Sequence, residues 1–213
     1  MVALKNSKVA IIDYEFGNAT SVKNALDYLK INNEIKTYPT KLNSFTHIIL
    51  PGDGFFPATM KILKSNKWDK AIYAFYKNNK KKVIGICVGF QILFNFSFEG
   101  KGCKGLNLVK GKCIKIKDTK KKIRLPHIGF NKVKMLKSKQ SDFFYFIHSY
   151  AIKVDDRYLN ENFSKINEDL GISNYGFKFL SYFNTKRLAG FQFHPEKSSD
   201  QGLKLLREAI ELI

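Results

Sequence analysis

Three short apolar runs, each ended by turn-forming residues, constrain the fold of this chain more than any other feature of its sequence. They cover residues 9–13, 46–50 and 82–86, and they lack the polar alternation of a strand that has one face in water. Apolar residues recur at helical spacing after the first run, over residues 20–29, and a polar, aromatic stretch of helical type follows the second, over residues 56–79. Buried strands that alternate with helices predict a parallel sheet with helices on its faces.

The second half of the chain has a different pattern. Between residues 111 and 193 the segments are short, rich in β-forming residues and punctuated by turns, as over residues 113–117, 142–147 and 171–183. We expect mixed or antiparallel strands here. A final helix is predicted after a capping cluster at residues 198–200. One face of that helix carries Leu203, Leu206, Ala209, Ile210 and Ile213. Without an internal repeat or a linker-like stretch, residues 1–213 are predicted to form one domain.

Charge is the unusual part of the composition. Lys and Arg number 37 against 18 Asp and Glu, a net charge of +19. Such a balance is compatible with a nucleic-acid or membrane surface. However, base and phosphate recognition draws heavily on arginine, and the chain has four (Arg124, Arg157, Arg187 and Arg207). We therefore interpret the excess as solvated lysine, with no nucleic-acid partner, although it can help to attract a phosphorylated substrate or an acidic partner.

Cysteine usage and hydropathy indicate a cytoplasmic protein. The three cysteines form no C-x-x-C pair, which fits a reducing compartment and argues against a metal site. No apolar run approaches the ~20 residues that span a bilayer, so no membrane association is expected. Residues 1–8 also lack the apolar segment of a signal peptide.

The third apolar run leads directly into Cys87, which has a glycine two positions before it and another two positions after it. A helix is predicted to begin over residues 91–96, so Cys87 lies in a strand–turn–helix junction of the nucleophile-elbow type. Side chains at Gly85 and Gly89 would collide with the neighbouring strand and helix. The helix N-terminus favours a thiolate, and the Val88 N–H is left free to stabilise an oxyanion. The alternative is a buried structural cysteine, and the flanking strand and helix favour the nucleophile.

A cysteine nucleophile needs a base, and His194 is the best candidate among the four histidines. It stands in His194-Pro195-Glu196, where residues i and i+2 of an extended segment point to the same side. Glu196 can then orient the imidazole while His194 polarises the thiol. By contrast, His47 at the start of a core strand is interpreted as a satisfied or surface histidine, and His127 after a proline is interpreted as a turn residue.

With these residues in place, the chain resembles the class I, triad-type glutamine amidotransferases, whose mark is G-x-C-x-G-x-Q followed by H-P-E. Further stretches extend the resemblance over nearly the whole chain to one branch of that family, the glutaminase subunits of imidazole glycerol phosphate synthases. These stretches are residues 12–14, 17–18, 50–54, 126–131, 145–150 and 191–199. The resemblance implies an α/β fold with a flavodoxin-like open sheet, a mainly parallel core covered by helices on both faces and a smaller mixed or antiparallel β region in the second half.

The resemblance also implies the chemistry, which is hydrolysis of L-glutamine to glutamate and ammonia without a cofactor or metal. Its catalytic residues would be Cys87, His194 and Glu196. The oxyanion would be held by backbone N–H groups of Val88, Gly52 and Asp53. Glutamine would be held by Gln91, Glu99, His148, Ser149 and Tyr150.

A partner is implied in the same way. Glutaminase subunits of this branch form a heterodimer with a (βα)₈-barrel cyclase subunit, with Asn18 and Lys197 expected at the interface. Ammonia crosses the barrel to form imidazole glycerol phosphate and aminoimidazole carboxamide ribotide in histidine biosynthesis. The resemblance further suggests low glutaminase activity until the partner is loaded, with the Pro51–Gly52 strand as the gate.

Three positions depart from the family pattern. The family has glycine at the position of Glu15, a small apolar residue at Asp53 and tryptophan at Phe130. We expect Asp53 to contribute its backbone N–H while its side chain points elsewhere, because an inward carboxylate repels an oxyanion. These departures keep open a paralogous glutaminase that feeds an amidotransferase acting on surface sugars. A stand-alone γ-glutamyl cysteine hydrolase and a basic, non-catalytic binding module are further alternatives.

Overall fold

The computed structural model describes residues 7–15, 18–118, 122–163 and 170–211 of the chain. Strands and helices alternate in the first half, and strands dominate the second. The strands of the described residues are β1 (Lys8–Ile12), β2 (Asn32–Lys36), β3 (His47–Leu50), β4 (Lys82–Ile86), β5 (Phe94–Ser97), β6 (Cys103–Lys104), β7 (Val109–Lys115), β8 (His127–Met135), β9 (Ser141–His148), β10 (Tyr150–Ile152), β11 (Leu170–Tyr175), β12 (Phe177–Asn184) and β13 (Leu188–Phe191). The helices are α1 (Ala19–Tyr28), α2 (Phe56–Ser65), α3 (Trp68–Lys77), α4 (Val88–Gln91), α5 (Asp156–Phe163) and α6 (Ser199–Glu211).

One large open sheet organises the molecule, in the order β2-β1-β3-β4-β13-β12-β11-β8-β9. Its first five strands pair in parallel, and the remaining pairs are antiparallel. A smaller mixed sheet has the order β10-β7-β5-β6. The predicted parallel core and the mixed β region of the second half are both confirmed.

Helices cover both faces of the parallel strands because alternate strand residues are apolar on both sides. On one face, Ile48 and Leu50 of β3 join a core cluster with residues of α2 and α3. On the other face, Ile49 joins a second cluster with residues of α1 and α6. Strands buried on both faces sit in the centre of the sheet, and their carboxyl ends meet at one edge, where binding sites form in such folds.

Two helix predictions are wrong in detail. Residues 56–79 form two helices rather than one, because Lys67 between them adopts a left-handed backbone with φ of 60°. Residues 91–96 do not begin a helix, since α4 ends at Gln91 and β5 follows. The carbonyls of Ile92 and Leu93, which would continue the helix, accept instead from the backbone N–H groups of Leu106 and Leu108. Tertiary pairing therefore overrides the local helical pattern.

Two helices begin at residues that can cap them. Asn18 caps α1, because its side chain accepts a hydrogen bond from the Ser21 N–H. Helix α6 begins at Ser199, within the predicted capping cluster. Gly17, predicted in the first turn, and Ile213, predicted in the last helix, lie outside the described residues. Among the described helices, none is long and apolar enough to cross a membrane.

Candidate active site

Cys87 stands at the carboxyl end of β4 in a strained backbone conformation. Its φ is 53° and its ψ is −110°, a left-handed region that non-glycine residues rarely adopt and that costs about 1–3 kcal/mol. Two backbone hydrogen bonds hold it there: the Cys87 N–H donates to the Phe191 carbonyl at 2.7 Å, and the Cys87 carbonyl accepts from the Gln91 N–H at 3.0 Å. The sulfur is thereby presented at the carboxyl edge of the sheet, beside the first turn of α4.

The two glycines around Cys87 are required by close packing. A Cβ on Gly85 would lie 2.7 Å from the Phe90 Cα and still closer to the Gly89 carbonyl. A Cβ on Gly89 would overlap the carbonyl oxygen of Leu50, at the end of the neighbouring β3. The predicted collisions are confirmed, and any larger residue at either position must displace the elbow.

His194 reaches the same edge because β13 lies parallel to β4, with Phe191 paired to Ile86. Its side chain is 1% exposed, and its Nδ1 lies 2.8 Å from Oε1 of Glu196, which is equally buried. A carboxylate accepts only, so Nδ1 carries the proton of this bond. Nε2 makes no well-aligned hydrogen bond to the described residues and is available to a reacting group.

Electrostatics favours the protonated form of this imidazole. Burial lowers the pKa of His194, but the interactions with Cys87 and Glu196 outweigh burial and raise it to about 10. The buried carboxylate of Glu196 stabilises the cationic ring. Cys87, His194 and Glu196 are thus brought together in the arrangement of a nucleophile, a base and an orienting acid.

Two segments pack against each other next to Cys87. Val88 is the first residue of α4, so its N–H has no acceptor within the helix. Gly52 packs directly against it, because a Cβ on Gly52 would meet the Val88 side chain and lie 3.3 Å from the Gly89 nitrogen. The segment after β3 and the start of α4 therefore line one side of the site.

The expectation that the Asp53 side chain points elsewhere is wrong. Its Oδ1 lies 3.5 Å from His194 Nε2, and its Oδ2 lies 3.6 Å from Nζ of Lys197. Asp53 follows Gly52, which packs against Val88 and so keeps this segment close to the end of β4. The basic groups of His194 and Lys197 attract the Asp53 carboxylate. Lys197 is placed at the same rim of the site.

The predicted glutamine-binding residues lie around the site, but several are engaged with protein groups. The side-chain nitrogen of Gln91 donates to the Tyr150 carbonyl at 2.8 Å and to Gln192 Oε1 at 3.1 Å. Glu99 Oε2 accepts from the Phe56 N–H at 2.9 Å at the start of α2, and burial raises the pKa of this carboxyl. The Ser149 carbonyl accepts from the Ile116 N–H. Gln91 and Glu99 therefore have fixed orientations.

The model of the family "Glutamine amidotransferase class-I" matches residues 10–212. The chain belongs to this family.

Two relatives show which branch of the family this chain resembles. "Imidazole glycerol phosphate synthase subunit HisH" of Methanocaldococcus jannaschii is 37% identical over 213 residues, covering 96% of this chain and all of the relative. "Imidazole glycerol phosphate synthase subunit HisH 1" of Campylobacter jejuni is 33% identical over 212 residues, with the same coverage. The predicted resemblance to this branch of amidotransferases is confirmed.

Solved structures of amidotransferases share the fold. One structure, described as "Crystal structure of glutamine amidotransferase", superposes on this chain with a TM-score of 0.72 at 16% sequence identity. The superposition covers 96% of this chain and 97% of the other chain. "Structure of PurLQS from Thermotoga maritima" gives a TM-score of 0.69 at 17% identity, with the same coverage. The predicted α/β, flavodoxin-like architecture is confirmed.

A hydrogen-bonded histidine pair in this amidotransferase joins the end of β9 to the start of β8. His148 Nδ1 lies 2.8 Å from the Tyr150 carbonyl, so it donates, and Nε2 accepts from His127 Nδ1 at 3.2 Å. His127 Nε2 in turn accepts from the Asn131 amide at 3.2 Å. Burial lowers the pKa of His127 to about 4 and that of His148 to about 3, which keeps both rings neutral. The Tyr150 carbonyl therefore accepts hydrogen bonds from both His148 and Gln91.

Sequence reasoning missed two residues near the amidotransferase site. His127 was interpreted as a turn residue, although its place opposite His148 in the β8–β9 ladder makes it part of the chain of hydrogen bonds. Tyr14 is buried, and its hydroxyl has no hydrogen-bond partner among the described residues. Burial, then the charges of Cys87 and Asp53, raise its pKa. Its position after the first predicted strand was a usable signal. Within the described residues no His, Cys, Asp and Glu cluster suits a metal ion.

Proposed function

We propose that this amidotransferase chain hydrolyses L-glutamine to glutamate and ammonia as the glutaminase subunit of an imidazole glycerol phosphate synthase, in histidine biosynthesis. The observation that carries the proposal is the strained elbow at Cys87, beside an imidazole whose far nitrogen is held by the buried Glu196. The two HisH relatives, each matched over its full length, support the assignment to the synthase.

In the first half of the reaction, the Cys87 thiolate attacks the carboxamide carbon of glutamine. An S–C bond forms, and the oxyanion lies against the N–H groups of Val88 and the Gly52–Asp53 segment. Protonated His194 gives its Nε2 proton to the departing nitrogen as the C–N bond breaks, which releases ammonia. A glutamyl thioester remains, and the ring is left neutral.

In the second half, neutral His194 takes a proton from water as the water oxygen attacks the thioester carbon. The C–S bond breaks, glutamate leaves, and the thiolate–imidazolium pair is restored. Glu196 retains its charge in both halves and stabilises the ring each time it is protonated. Gln91, Glu99 and the His148–Tyr150 segment are proposed to hold the zwitterionic substrate.

We propose a (βα)₈-barrel cyclase subunit as the acceptor of the ammonia. An apolar outer face on β8 and β9 supports a docked partner, since Ile128, Phe130, Phe143 and Ile147 are exposed there. Single exposed apolar residues are normal, whereas a contiguous set indicates an interaction surface. The backbone of the same β9 reaches the catalytic sulfur, because the Cys87 Sγ lies 3.6 Å from the Ile147 carbonyl oxygen. Asn18 and Lys197 are proposed to extend this interface.

The decisive experiment measures glutamine hydrolysis by the chain alone and with a histidine-pathway cyclase subunit, with and without the cyclase nucleotide. We expect strong activation by the loaded cyclase and loss of activity in Cys87→Ala. Hydrolysis without any partner would favour the γ-glutamyl hydrolase. Activation restricted to a cyclase-like protein of a sugar-modification pathway would replace the histidine-pathway assignment with the paralogous one.

A further inference from the structure

Asp53 brings a second carboxylate to the catalytic imidazole, in addition to Glu196. Glu196 is buried and hydrogen-bonded at Nδ1, whereas Asp53 is 39% exposed and faces Nε2 at 3.5 Å without a hydrogen bond. Nε2 is the nitrogen that must exchange a proton with the substrate in the proposed reaction. A charge at this place therefore acts on the proton that moves.

Lys197 contacts the other oxygen of the same carboxylate. Its Nζ lies 3.6 Å from Oδ2 of Asp53, and its side chain is 34% exposed. The two contacts use different oxygens and have nearly equal lengths, and neither group locks the carboxylate by burial. The Asp53 carboxylate therefore bridges the His194 ring and the Lys197 ammonium group, with one oxygen toward each.

Other charged or titratable groups approach His194 from several elements, and the Tyr145 carbonyl of β9 accepts a hydrogen bond from the His194 backbone N–H at 2.9 Å. Cys87 approaches from the end of β4, and Glu196 from the turn that follows His194. His148, at the end of β9, is held neutral. Tyr14, after β1, stays protonated beside Cys87 and Asp53. Of the two carboxylates beside the His194 ring, Glu196 is buried and Asp53 is partly exposed.

A carboxylate at Nε2 has opposite effects on the two halves of the proposed reaction. It stabilises the imidazolium, which suits the resting thiolate pair. After acylation the sulfur carries no charge, and His194 must be neutral to take a proton from water. An anion that keeps the ring protonated then slows hydrolysis of the thioester, and it also repels each oxyanion.

We propose that Asp53 is a positioning residue that bridges the His194 ring and Lys197, and that its charge beside Nε2 slows thioester hydrolysis. The inference rests on the proposed glutaminase function for its kinetic consequence. Its effect on the ring itself does not depend on turnover, so the two can be tested separately.

The first test titrates the His194 ring by NMR in the full chain with Cys87→Ser, which removes the thiolate. We expect Asp53→Asn to lower the His194 pKa by about half to one pH unit, as for a unit charge at this distance under solvent screening. Lys197→Met should raise the pKa, and raise it less when Asp53→Asn is also present. Asp200→Asn, which changes an exposed carboxylate at the start of α6, is the matched control and should leave it unchanged.

The second test compares pH profiles of glutamine turnover, with the cyclase present. Asp53→Asn should move the acid limb of kcat to lower pH and raise kcat several-fold at pH 6. An unchanged His194 pKa in Asp53→Asn overturns the inference, as does an unshifted acid limb in an active enzyme. If no variant turns over glutamine while the NMR shift is present, the proposed function and the kinetic effect fail together, and the contact between Asp53 and the ring is upheld.

Discussion

The carboxylate of Glu196 is almost completely shielded from solvent. Burying this negative charge destabilises the folded state unless a cation lies nearby. The buried ring of His194, at 2.8 Å, supplies that cation. The pair is reciprocal: the carboxylate raises the pKa of the ring, and the protonated ring makes the buried carboxylate tolerable. A substitution that removes the charge of Glu196 but keeps an oxygen that accepts from His194 Nδ1 separates two effects of this residue. These are the stabilisation of the protonated ring and the orientation of the ring.

We expect Glu196→Gln to lower kcat/KM for glutamine on the order of 10²–10⁴-fold, in the range seen when a triad carboxylate is neutralised. The amide oxygen can still accept from Nδ1, so the loss measures the missing charge. Steady-state glutaminase assays with the cyclase present provide the measurement. Glu211→Gln, which alters an exposed carboxylate at the end of α6, should retain full activity. Equal activity of both variants would remove Glu196 from the mechanism.

The placement of a single residue can be predicted from sequence when the residues next to it in the chain determine its backbone conformation. Gly85, Cys87 and Gly89 were predictable because their spacing makes sense only in a tight strand-to-helix turn. The direction of the Asp53 side chain was not, because it is set by His194 and Lys197 from the far end of the chain. Glu15, at a position where the resemblance predicts glycine, has a φ of 74°, which is a left-handed backbone conformation.

The β8–β9 pair is the element that joins the interior of the molecule to its surface. Alternate residues of each strand face opposite sides. The inner side carries His127 and His148, while the outer side carries exposed apolar residues. The ladder was predicted only in part, over residues 142–147, because hydrogen-bonded histidines and exposed aromatics obscure the alternation of apolar and polar residues. Two predictions concern this element, one for each face.

On the inner face, neutral His127 and His148 make stability depend on pH. Their pKa values in the folded state, about 4 and about 3, lie below the unfolded value of 6.5. The unfolded state therefore binds protons first, so stability is full above about pH 6.5 and falls as the pH decreases, by up to about 1.4 kcal/mol per pH unit for each histidine. Urea unfolding at pH 7.0, 6.0 and 5.0 measures this slope.

The variant His127→Phe keeps an aromatic ring for stacking on Tyr175, 4.0 Å away between ring centroids, and removes one titrating group. Its stability should depend less steeply on pH than that of the natural chain, whatever its absolute stability. An unchanged slope would mean that His127 is not held neutral by the fold.

On the outer face, Phe130 and Phe143 are 56% and 61% exposed and are proposed to be covered by the cyclase. We expect Phe130→Ser with Phe143→Ser to weaken cyclase binding by at least about tenfold, because aromatic anchors dominate interface energies. Calorimetric titration of the cyclase subunit measures this. Tyr73→Ser, which truncates a comparably exposed aromatic residue on α3, is the matched control. Similar affinity for all variants would place the interface elsewhere.

At the scale of the whole molecule, the net charge of +19 is mostly uncompensated. Ion pairs between Lys or Arg and carboxylates are few in the described part of the chain, and most of them are at the surface, such as Lys23–Asp27 and Arg157–Glu161. Surface pairs contribute about 0–1 kcal/mol each. Repulsion among the remaining lysines therefore acts against the compact state.

Screening this repulsion should stabilise the chain. The Debye length falls from about 30 Å at 0.01 M salt to about 8 Å at 0.15 M, so the melting temperature should rise by several degrees over this range of NaCl. The triple variant Lys61→Glu, Lys70→Glu and Lys80→Glu changes exposed positions on or beside α2 and α3 and lowers the net charge by six. Because it starts with less repulsion, its melting temperature should be higher at low salt and should rise less as salt is added. If both proteins responded equally to NaCl, the effect of salt would not come from the lysine charge, and the excess lysines would be neutral for folding.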